Sequence, residues 1–238
     1  MQRDGQQRAC PLADDLWLST VRRGSMLGHS GAVQGNVGAV PMPSRAKQIW
    51  LVRHAETEWS ASGRHTGRSD IPLTASGIAK ANELAPALAA ERYSLVLSSP
   101  RSRALETARH AGFGTTVAVD EALAEWDYGD YEGLTSAEIA ARSPGWDLWR
   151  TGCPGGESIA AVAARAEHVI QRCLASPGNA LIFSHGHFTR MIAALWIELP
   201  PSRGRSFGLK AGSISVLGFE HSNRVIWQWD RVDAFEGH

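Results

Sequence analysis

The sequence predicts an α/β fold: a three-layer α/β/α sandwich with a mostly parallel central sheet and a C-terminal hairpin. Short apolar runs with the length of buried strands alternate with stretches that have the 3.6-residue period of amphipathic helices. Such alternation is typical of a parallel sheet covered by helices on both faces. The chain has 238 residues, enough for one sizeable α/β domain with its own core.

Composition narrows the class of protein. The chain carries 24 Lys and Arg against 24 Asp and Glu, so its formal net charge is zero. General nucleic-acid binders and membrane-surface binders need a basic excess, so we expect neither partner. No apolar run approaches membrane-spanning length. The three cysteines, Cys10, Cys153 and Cys173, are widely separated and odd in number, which fits a cytoplasmic protein better than a disulfide framework.

The first 45 residues differ from the rest of the chain. They have poor periodicity and many glycines, and Pro41 and Pro43 close them. They lack the continuous apolar segment of a signal peptide. We expect a flexible N-terminal extension over residues 1–45 and one folded domain over residues 46–238. Met42 is a candidate start, because the ordered pattern begins just after it.

The first strand is predicted from an apolar run, and the first helix is predicted from an N-cap residue. Residues 48–53 form an apolar run that stops at Arg53 and His54, as a buried strand does where it opens into a loop. Glycines then mark a loop that ends at Thr74. Thr74 is placed to N-cap an alanine-rich helix that runs to about Glu91.

Two short strands and a second helix come next. Residues 95–97 predict a buried strand, after which Ser99 and Pro100 are expected as the N-cap and first position of a helix. This helix is expected to reach about Ala111. Residues 117–119 predict a third strand, which leads into a long loop.

The second half of the chain continues the alternation. Thr135 and Glu138 predict a capping box for a short helix. A long amphipathic helix is expected from Ile159 to Cys173. A buried strand over 180–183 ends in a polar cluster, and a helix follows to about residue 199. Finally, the apolar segments 213–219 and 225–229 predict a hairpin that turns around His221 to Asn223.

Charged side chains follow several of the predicted strands. They are Arg53 and His54 after the first strand, Arg103 after the second, Glu125 after the third and His185 after the fourth. In a doubly wound sheet such positions converge in one crevice. Guanidinium groups suit phosphoryl oxygens, a histidine can be a nucleophile, and a carboxylic acid can supply a proton. The pattern therefore favours phosphoryl chemistry.

The motifs around these residues resemble the histidine phosphatases, also called the phosphoglycerate-mutase-like superfamily. The resemblance covers about residues 49 to 219, and its motifs occur in the expected order although each is weak alone. They are Arg53-His54-Ala55, Glu56-Thr57-Glu58-Trp59, Asp70-Ile71-Pro72-Leu73-Thr74 with Gly77, Ser98-Ser99-Pro100-Arg101-Ser102-Arg103, Glu125 with Gly129, Glu132 and Gly133, Gly155-Gly156-Glu157-Ser158, and Ser184-His185-Gly186.

This resemblance implies a catalytic role for five residues. His54 would attack phosphorus and become a phosphohistidine, while Arg53 and Arg103 would hold the phosphoryl oxygens. His185 would donate to the same oxygens as an imidazolium, stabilising charge in the transition state. Glu125 would protonate the leaving group and then activate water. The resemblance implies no metal and no cofactor.

The resemblance also implies a substrate class. Ser60 and the residues around it resemble a branch that contains sugar-phosphate and broad-specificity phosphatases, so we expect a small phosphorylated metabolite as substrate and inorganic phosphate as product. The residues expected to bind substrate are Arg53, Ser60, Thr66, Gly67, Arg103, His185 and Gly186. Ala55 departs from the family, which has glycine there; a positive φ at this position would strain alanine.

Several alternatives stay open at this level. A phosphoglycerate mutase would keep the phosphoryl group, but the loop between Gly133 and Gly156 is short, and its only arginines are Arg142 and Arg150. A third hypothesis for the function is a catalytically weak member of the family that acts as a protein-binding module. A zinc site at His185 and His187 is disfavoured, because no third ligand is apparent. The apolar terminal strand with its two tryptophans leaves a homodimer open.

Overall fold

The computed structural model describes residues 47–232. The predicted extension over residues 1–45 and the candidate start at Met42 lie outside this range, so both stay predictions. The described residues cover nearly all of the predicted domain over 46–238. Among them, no helix is both long enough and apolar enough to cross a membrane.

Strands and helices alternate within the described range, as the apolar pattern predicts. The strands are β1 (Ile49–Arg53), β2 (Tyr93–Ser98), β3 (Ala118–Val119), β4 (Asn179–Ser184), β5 (Ile214–Glu220) and β6 (Asn223–Arg231). The helices are α1 (Glu58–Ala61), α2 (Ala75–Glu83), α3 (Ala85–Ala89), α4 (Ser102–Ala108), α5 (Ser136–Arg142), α6 (Leu148–Thr151), α7 (Ile159–Ala175) and α8 (Gly186–Trp196). Short 3₁₀ turns cover Glu121–Leu123, Gly129–Tyr131 and Pro201–Ser206.

The strands form one sheet with the order β3-β2-β4-β1-β5-β6. The first four strands in this order run parallel, whereas β5 is antiparallel to β1, and β6 is antiparallel to β5. The last two strands are the predicted C-terminal hairpin. The mostly parallel sheet with helices confirms the predicted fold class.

Two hydrophobic cores lie on opposite faces of this sheet, because successive side chains of a strand point to opposite sides. Ile49 and Leu51 of β1 belong to the core that contains the buried faces of α7 and α8. Trp50 and Val52 belong to the other core, which contains Leu84 and Leu88 near α2 and α3. The continuous apolar run of β1 is therefore explained by burial on both faces.

The helix predicted from Thr74 to about Glu91 is interrupted. Thr74 caps it as expected, with its hydroxyl accepting from the Gly77 N–H at 2.9 Å. However, α2 ends at Glu83 and α3 begins at Ala85. Pro86 has no N–H to donate to the carbonyl four residues earlier, which accounts for the break.

The start predicted for α4 is wrong by two residues. The Ser99 hydroxyl lies 2.7 Å from His185 Nε2 and does not cap a helix that begins at Pro100. The helix begins at Ser102, whose N–H donates to the carboxylate of Asp70 at 2.8 Å. It ends at Ala108 and continues as a π-helical turn to Phe113. The capping box of α5 at Thr135 is present as predicted.

The strand register explains where the polar residues gather. Arg53 at the end of β1 pairs with Ser184 at the end of β4, and Ser98 of β2 pairs with Phe183. The residues that follow these strands, His54, His185 and Ser99, consequently leave the sheet at the same edge. This edge carries the candidate site.

Candidate active site

His54 lies at the centre of the site, directly after β1, and lines a cavity of about 200 Å³. Its Nδ1 atom is 2.8 Å from the carbonyl oxygen of Ala55. A carbonyl only accepts, so Nδ1 carries the hydrogen and Nε2 keeps its lone pair. Burial, followed by the charges of Arg103 and Arg53, holds the pKa of His54 well below its usual value. The ring is therefore a neutral imidazole with one unprotonated nitrogen.

Arg53 lines the same cavity beside His54. One of its terminal nitrogens donates to the carbonyl of Leu209, which fixes the guanidinium in place. Its Nε atom is buried and has no hydrogen-bond partner among the described residues. Buried N–H groups are nearly always paired, so an unpaired one in a cavity wall is suited to an anionic ligand.

Arg103 and His185 are fully buried and do not line the cavity. His185 lies beside His54, with 5.2 Å between the two ring centres. Arg103 Nε donates to His185 Nδ1 at 3.2 Å, and His185 Nε2 then donates to Ser99 Oγ at 2.7 Å. Both residues were expected to contact the phosphoryl oxygens. Neither lines the cavity, so that contact stays a prediction.

The protonation state of His185 follows from its burial and its partners. Burial and the charge of Arg103 hold the pKa of His185 well below its usual value. Because Nδ1 accepts from a guanidinium, the ring is neutral in the protein without substrate. The imidazolium expected in the transition state stays a prediction. The remaining donors of Arg103 hold a loop through the carbonyls of Thr66 at 2.9 Å and Ser69 at 2.8 Å.

Glu125 faces the cavity at the N-terminus of α8. Its Oε1 atom accepts from the N–H groups of Trp126 and Phe188, both at 2.9 Å, and Oε2 accepts from that of His187 at 3.0 Å. Two N–H groups in the first turn of α8 therefore donate hydrogen bonds to this carboxylate. Oε2 retains one acceptor position for a substrate oxygen or a water.

A partly buried ion pair supports the backbone around Glu125. Arg165 on α7 makes two 2.8 Å bonds to the carboxylate of Glu157. The same guanidinium donates to the carbonyls of Ala122 at 2.8 Å and Ala124 at 3.0 Å. Arg165 thereby joins α7 to the segment that carries Glu125. The sequence pattern did not single out Arg165, because a lone arginine inside an amphipathic helix carries no local signal.

Ala55 is accommodated without backbone strain. Among the described non-glycine residues, only Glu198, His221 and Asp230 have positive φ. The Ala55 N–H donates to Thr107 Oγ1 at 3.0 Å, and its methyl group is buried. The strain considered for alanine at this family glycine position is therefore absent.

Three of the other residues predicted to bind substrate line the cavity: Ser60, Thr66 and Gly186. The Ser60 hydroxyl also belongs to the capping box of α1, where it accepts from the Thr57 N–H at 2.9 Å. Gly67 does not line the cavity. Its N–H donates to the carboxylate of Glu132 at 2.9 Å, so this glycine holds the loop and offers no free N–H to a substrate.

The cavity wall also contains residues that were not among those expected to act in catalysis or to bind substrate. They are Arg64, His65, Tyr128, His187 and Arg190. Burial raises the pKa of Tyr128 well above its usual value, so the phenol keeps its proton and donates to His187 Nδ1 at 2.6 Å. In the part of the chain that the structure describes, no group of three or more His, Cys, Asp or Glu residues is placed to hold a metal ion.

Comparison with known proteins identifies relatives over this same range. The family model described as "Histidine phosphatase superfamily (branch 1)" matches residues 49–231. An acid phosphatase of Mycobacterium tuberculosis is 44% identical and covers 78% of this chain and 93% of its own. A sedoheptulose 1,7-bisphosphatase of Saccharomyces cerevisiae is 34% identical, covering 66% and 70%. A probable phosphoglycerate mutase of Proteus mirabilis is 31% identical, covering 76% and 89%.

A solved structure supports the same relationship. The product of an open reading frame of Mycobacterium tuberculosis superposes with a TM-score of 0.75 at 40% identity. The match covers 79% of this chain and 99% of that one.

Proposed function

The chain belongs to branch 1 of the histidine phosphatase superfamily and is a phosphoric monoester hydrolase, and from this premise we propose that it hydrolyses small phosphomonoesters through a phosphohistidine on His54. The observation that carries this proposal is the hydrogen bond from His54 Nδ1 to the Ala55 carbonyl, which leaves Nε2 unprotonated at the cavity. The cavity of about 200 Å³ is below the ~300–1,000 Å³ typical of drug-sized ligands, which supports a small substrate.

In the first step, His54 Nε2 attacks phosphorus, and the bond from phosphorus to the ester oxygen breaks. Glu125 acts here in its carboxylic acid form, with the proton at the free position of Oε2, and gives this proton to the departing alkoxide, so a neutral alcohol leaves. Arg53 contacts the phosphoryl oxygens through the N–H that has no other partner. Preorganised donors of this kind stabilise the charge that develops on the oxygens.

In the second step, a water attacks the phosphohistidine. The carboxylate of Glu125 takes its proton, the N–P bond breaks, and inorganic phosphate leaves. Arg103 and His185 act beside His54: the His185 ring lies 5.2 Å from the His54 ring, Arg103 donates to His185, and the charge of Arg103 is felt at His54. A phosphoryl dianion adds negative charge to this region, which favours proton uptake by His185 during turnover.

The chain's own arginines and N–H groups supply the positive charge in this scheme, so we propose a metal-independent reaction. The name of the sedoheptulose 1,7-bisphosphatase relative supports sugar phosphates as candidate substrates. Ser60, Thr66 and Gly186 are proposed to contact the substrate, because they line the cavity near the nucleophile. Arg142 and Arg150, considered for a mutase, are both exposed and outside the cavity.

Hydrolysis in the presence of EDTA tests this proposal. We expect phosphate release from p-nitrophenyl phosphate with excess EDTA, and release of phosphate from 3-phosphoglycerate with no isomerisation. Glu125→Gln should lower kcat by about 10²–10⁴, the usual contribution of a general acid. Isomerisation of 3-phosphoglycerate without phosphate release would establish a mutase instead. If no phosphorylated metabolite is turned over, the hypothesis of a protein-binding module is favoured instead.

A further inference from the structure

The cavity wall carries more positive charge than one phosphoryl group requires. Within the described part of the chain, the wall contains three arginines, Arg53, Arg64 and Arg190, and one carboxylate, that of Glu125. Arg53 is next to the nucleophile in sequence and accounts for the reacting phosphoryl group. Arg64 and Arg190 have no part in the proposed chemistry.

Arg190 is fixed in place by two backbone carbonyls and one aromatic ring. Its Nε donates to the carbonyl of Gly204 and its Nη2 to that of Arg205, both at 3.0 Å. The guanidinium also stacks over Trp149, with 5.1 Å between its central carbon and the ring centre. Among residues 47–232 it forms no ion pair, and its Nη1 makes no hydrogen bond. A held cation with free N–H groups is already arranged for an anion.

The surrounding wall is built from packed rings. Trp149 and His187 have ring centres 5.7 Å apart, and His187 stacks on His65 at 6.0 Å. Arg64 directly precedes His65. Among residues 47–232 its one ion pair is with Glu138 at 3.4 Å, and this half-exposed pair has small energetic value. The ring packing limits how far these side chains can move, so this part of the cavity wall is preorganised.

We propose that Arg190, assisted by Arg64, binds a second anionic group of the substrate, either a carboxylate or a second phosphate. The inference rests on the proposed phosphatase function and specifies its substrate class: small phosphomonoesters with an anion at both ends. An ester with a neutral far end leaves the Arg190 N–H groups without a partner, whereas a second anion gains a charge-assisted hydrogen bond there. The arginine therefore sets substrate preference.

Two matched substrate pairs test this inference and distinguish the two anions. 3-Phosphoglycerate and glycerol 3-phosphate differ by one carboxylate, and fructose 1,6-bisphosphate and fructose 6-phosphate differ by one phosphate. We expect kcat/KM to be at least about tenfold higher for the doubly anionic member of at least one pair, and Arg190→Gln to reduce that ratio about tenfold. Arg190→Lys keeps the charge and should retain part of the preference.

Controls separate this inference from the proposed function and from misfolding. Arg142→Gln removes an exposed arginine outside the cavity and should leave both ratios unchanged. Thermal unfolding of each variant checks the fold. Binding of 3-phosphoglycerate and glycerol 3-phosphate to His54→Ala measures the same preference without turnover. Equal kcat/KM values within both substrate pairs would overturn this inference but not the proposed function. So would a kcat/KM ratio that Arg190→Gln leaves unchanged. If the unaltered protein has no phosphatase activity at all, the proposed function is overturned.

Discussion

The reactivity of the proposed nucleophile, His54, depends on the contacts of one buried imidazole in the cavity wall. The sequence places His54 after Arg53 at the end of a buried strand, and the family resemblance implied its role as nucleophile. The tautomer of His54 was not predictable, since this depends on where the Ala55 carbonyl points. The neutral state of His185 depends on Arg103, which is 82 residues away along the chain. The residue type at a position can be read from the sequence itself. The protonation state of that residue depends on contacts with residues that are distant in the sequence.

At residue scale, Ala55→Gly tests whether the family glycine would improve this site. Ala55 has no positive φ, and its buried methyl group packs with Leu73 and Ala81. We expect glycine to lower the free energy of unfolding by about 1–2 kcal/mol, from lost burial and added freedom of the unfolded chain. Chemical denaturation measures this change. Higher stability with higher kcat would show that alanine does strain the loop.

The helices and strands that surround the site could largely be predicted from the sequence, but the contacts that connect them could not. The capping box of α5 is encoded within four residues, so Thr135 and Glu138 were enough to predict it. The start of α4 depends on Asp70 from a separate loop, a contact with no signature in the sequence of the helix. The contacts of Arg165 were likewise not predictable, because they connect α7 to a loop that is distant in sequence and carries Glu125.

At this scale, Arg165→Gln should affect both stability and catalysis. It leaves the carboxylate of Glu157 without its partner and frees the carbonyls before Glu125. We expect a loss of about 2–3 kcal/mol in the free energy of unfolding and a kcat reduced about tenfold, with KM changed less. Denaturant titration and steady-state kinetics measure the two effects.

A matched control lies on the same helix. Arg172 pairs with Asp120, which is outside the cavity, and the arginine side chain is 41% exposed. Arg172→Gln should therefore cost less than about 1 kcal/mol and leave kcat unaltered. Equal effects of the two substitutions on kcat would show that Arg165 does not position Glu125.

The whole molecule keeps three histidines neutral in and around one cavity. Burial is the first cause that holds the pKa values of His54, His185 and His187 well below the usual value, and arginine charges are the second. The sequence predicted that strand ends would converge, because parallel strands present their carboxyl ends at one edge. It did not predict Arg190, since the cavity wall there forms only when α8 packs beside the 3₁₀ turn Pro201–Ser206.

This arrangement predicts how stability changes with pH. In the unfolded chain each of these histidines takes up a proton below about pH 6.5, whereas in the folded protein it stays neutral to lower pH. The unfolded state then binds more protons, so stability is fully present above pH 6.5 and is lost as the pH falls. Each histidine contributes at most about 1.4 kcal/mol per pH unit. Thermal unfolding between pH 8 and pH 5 should show this decline.

The variant His187→Gln identifies the source of that decline. Glutamine does not titrate, so the loss of stability between pH 6.5 and pH 5 should be shallower than in the unaltered protein. The comparison uses the slope against pH, which is independent of any constant change in stability that the substitution causes. Parallel curves for the two proteins would assign the acid sensitivity to other groups.

Trapping the covalent intermediate tests the central claim most directly. The protein is mixed briefly with p-nitrophenyl phosphate, quenched in alkali, which preserves phosphohistidine, digested, and analysed by mass spectrometry. We expect one phosphoryl group on the peptide that contains His54, and neither phosphoryl group nor turnover in a folded His54→Ala protein. Phosphate release by His54→Ala at the rate of the unaltered protein, or a phosphoryl group found on another residue, would contradict the account.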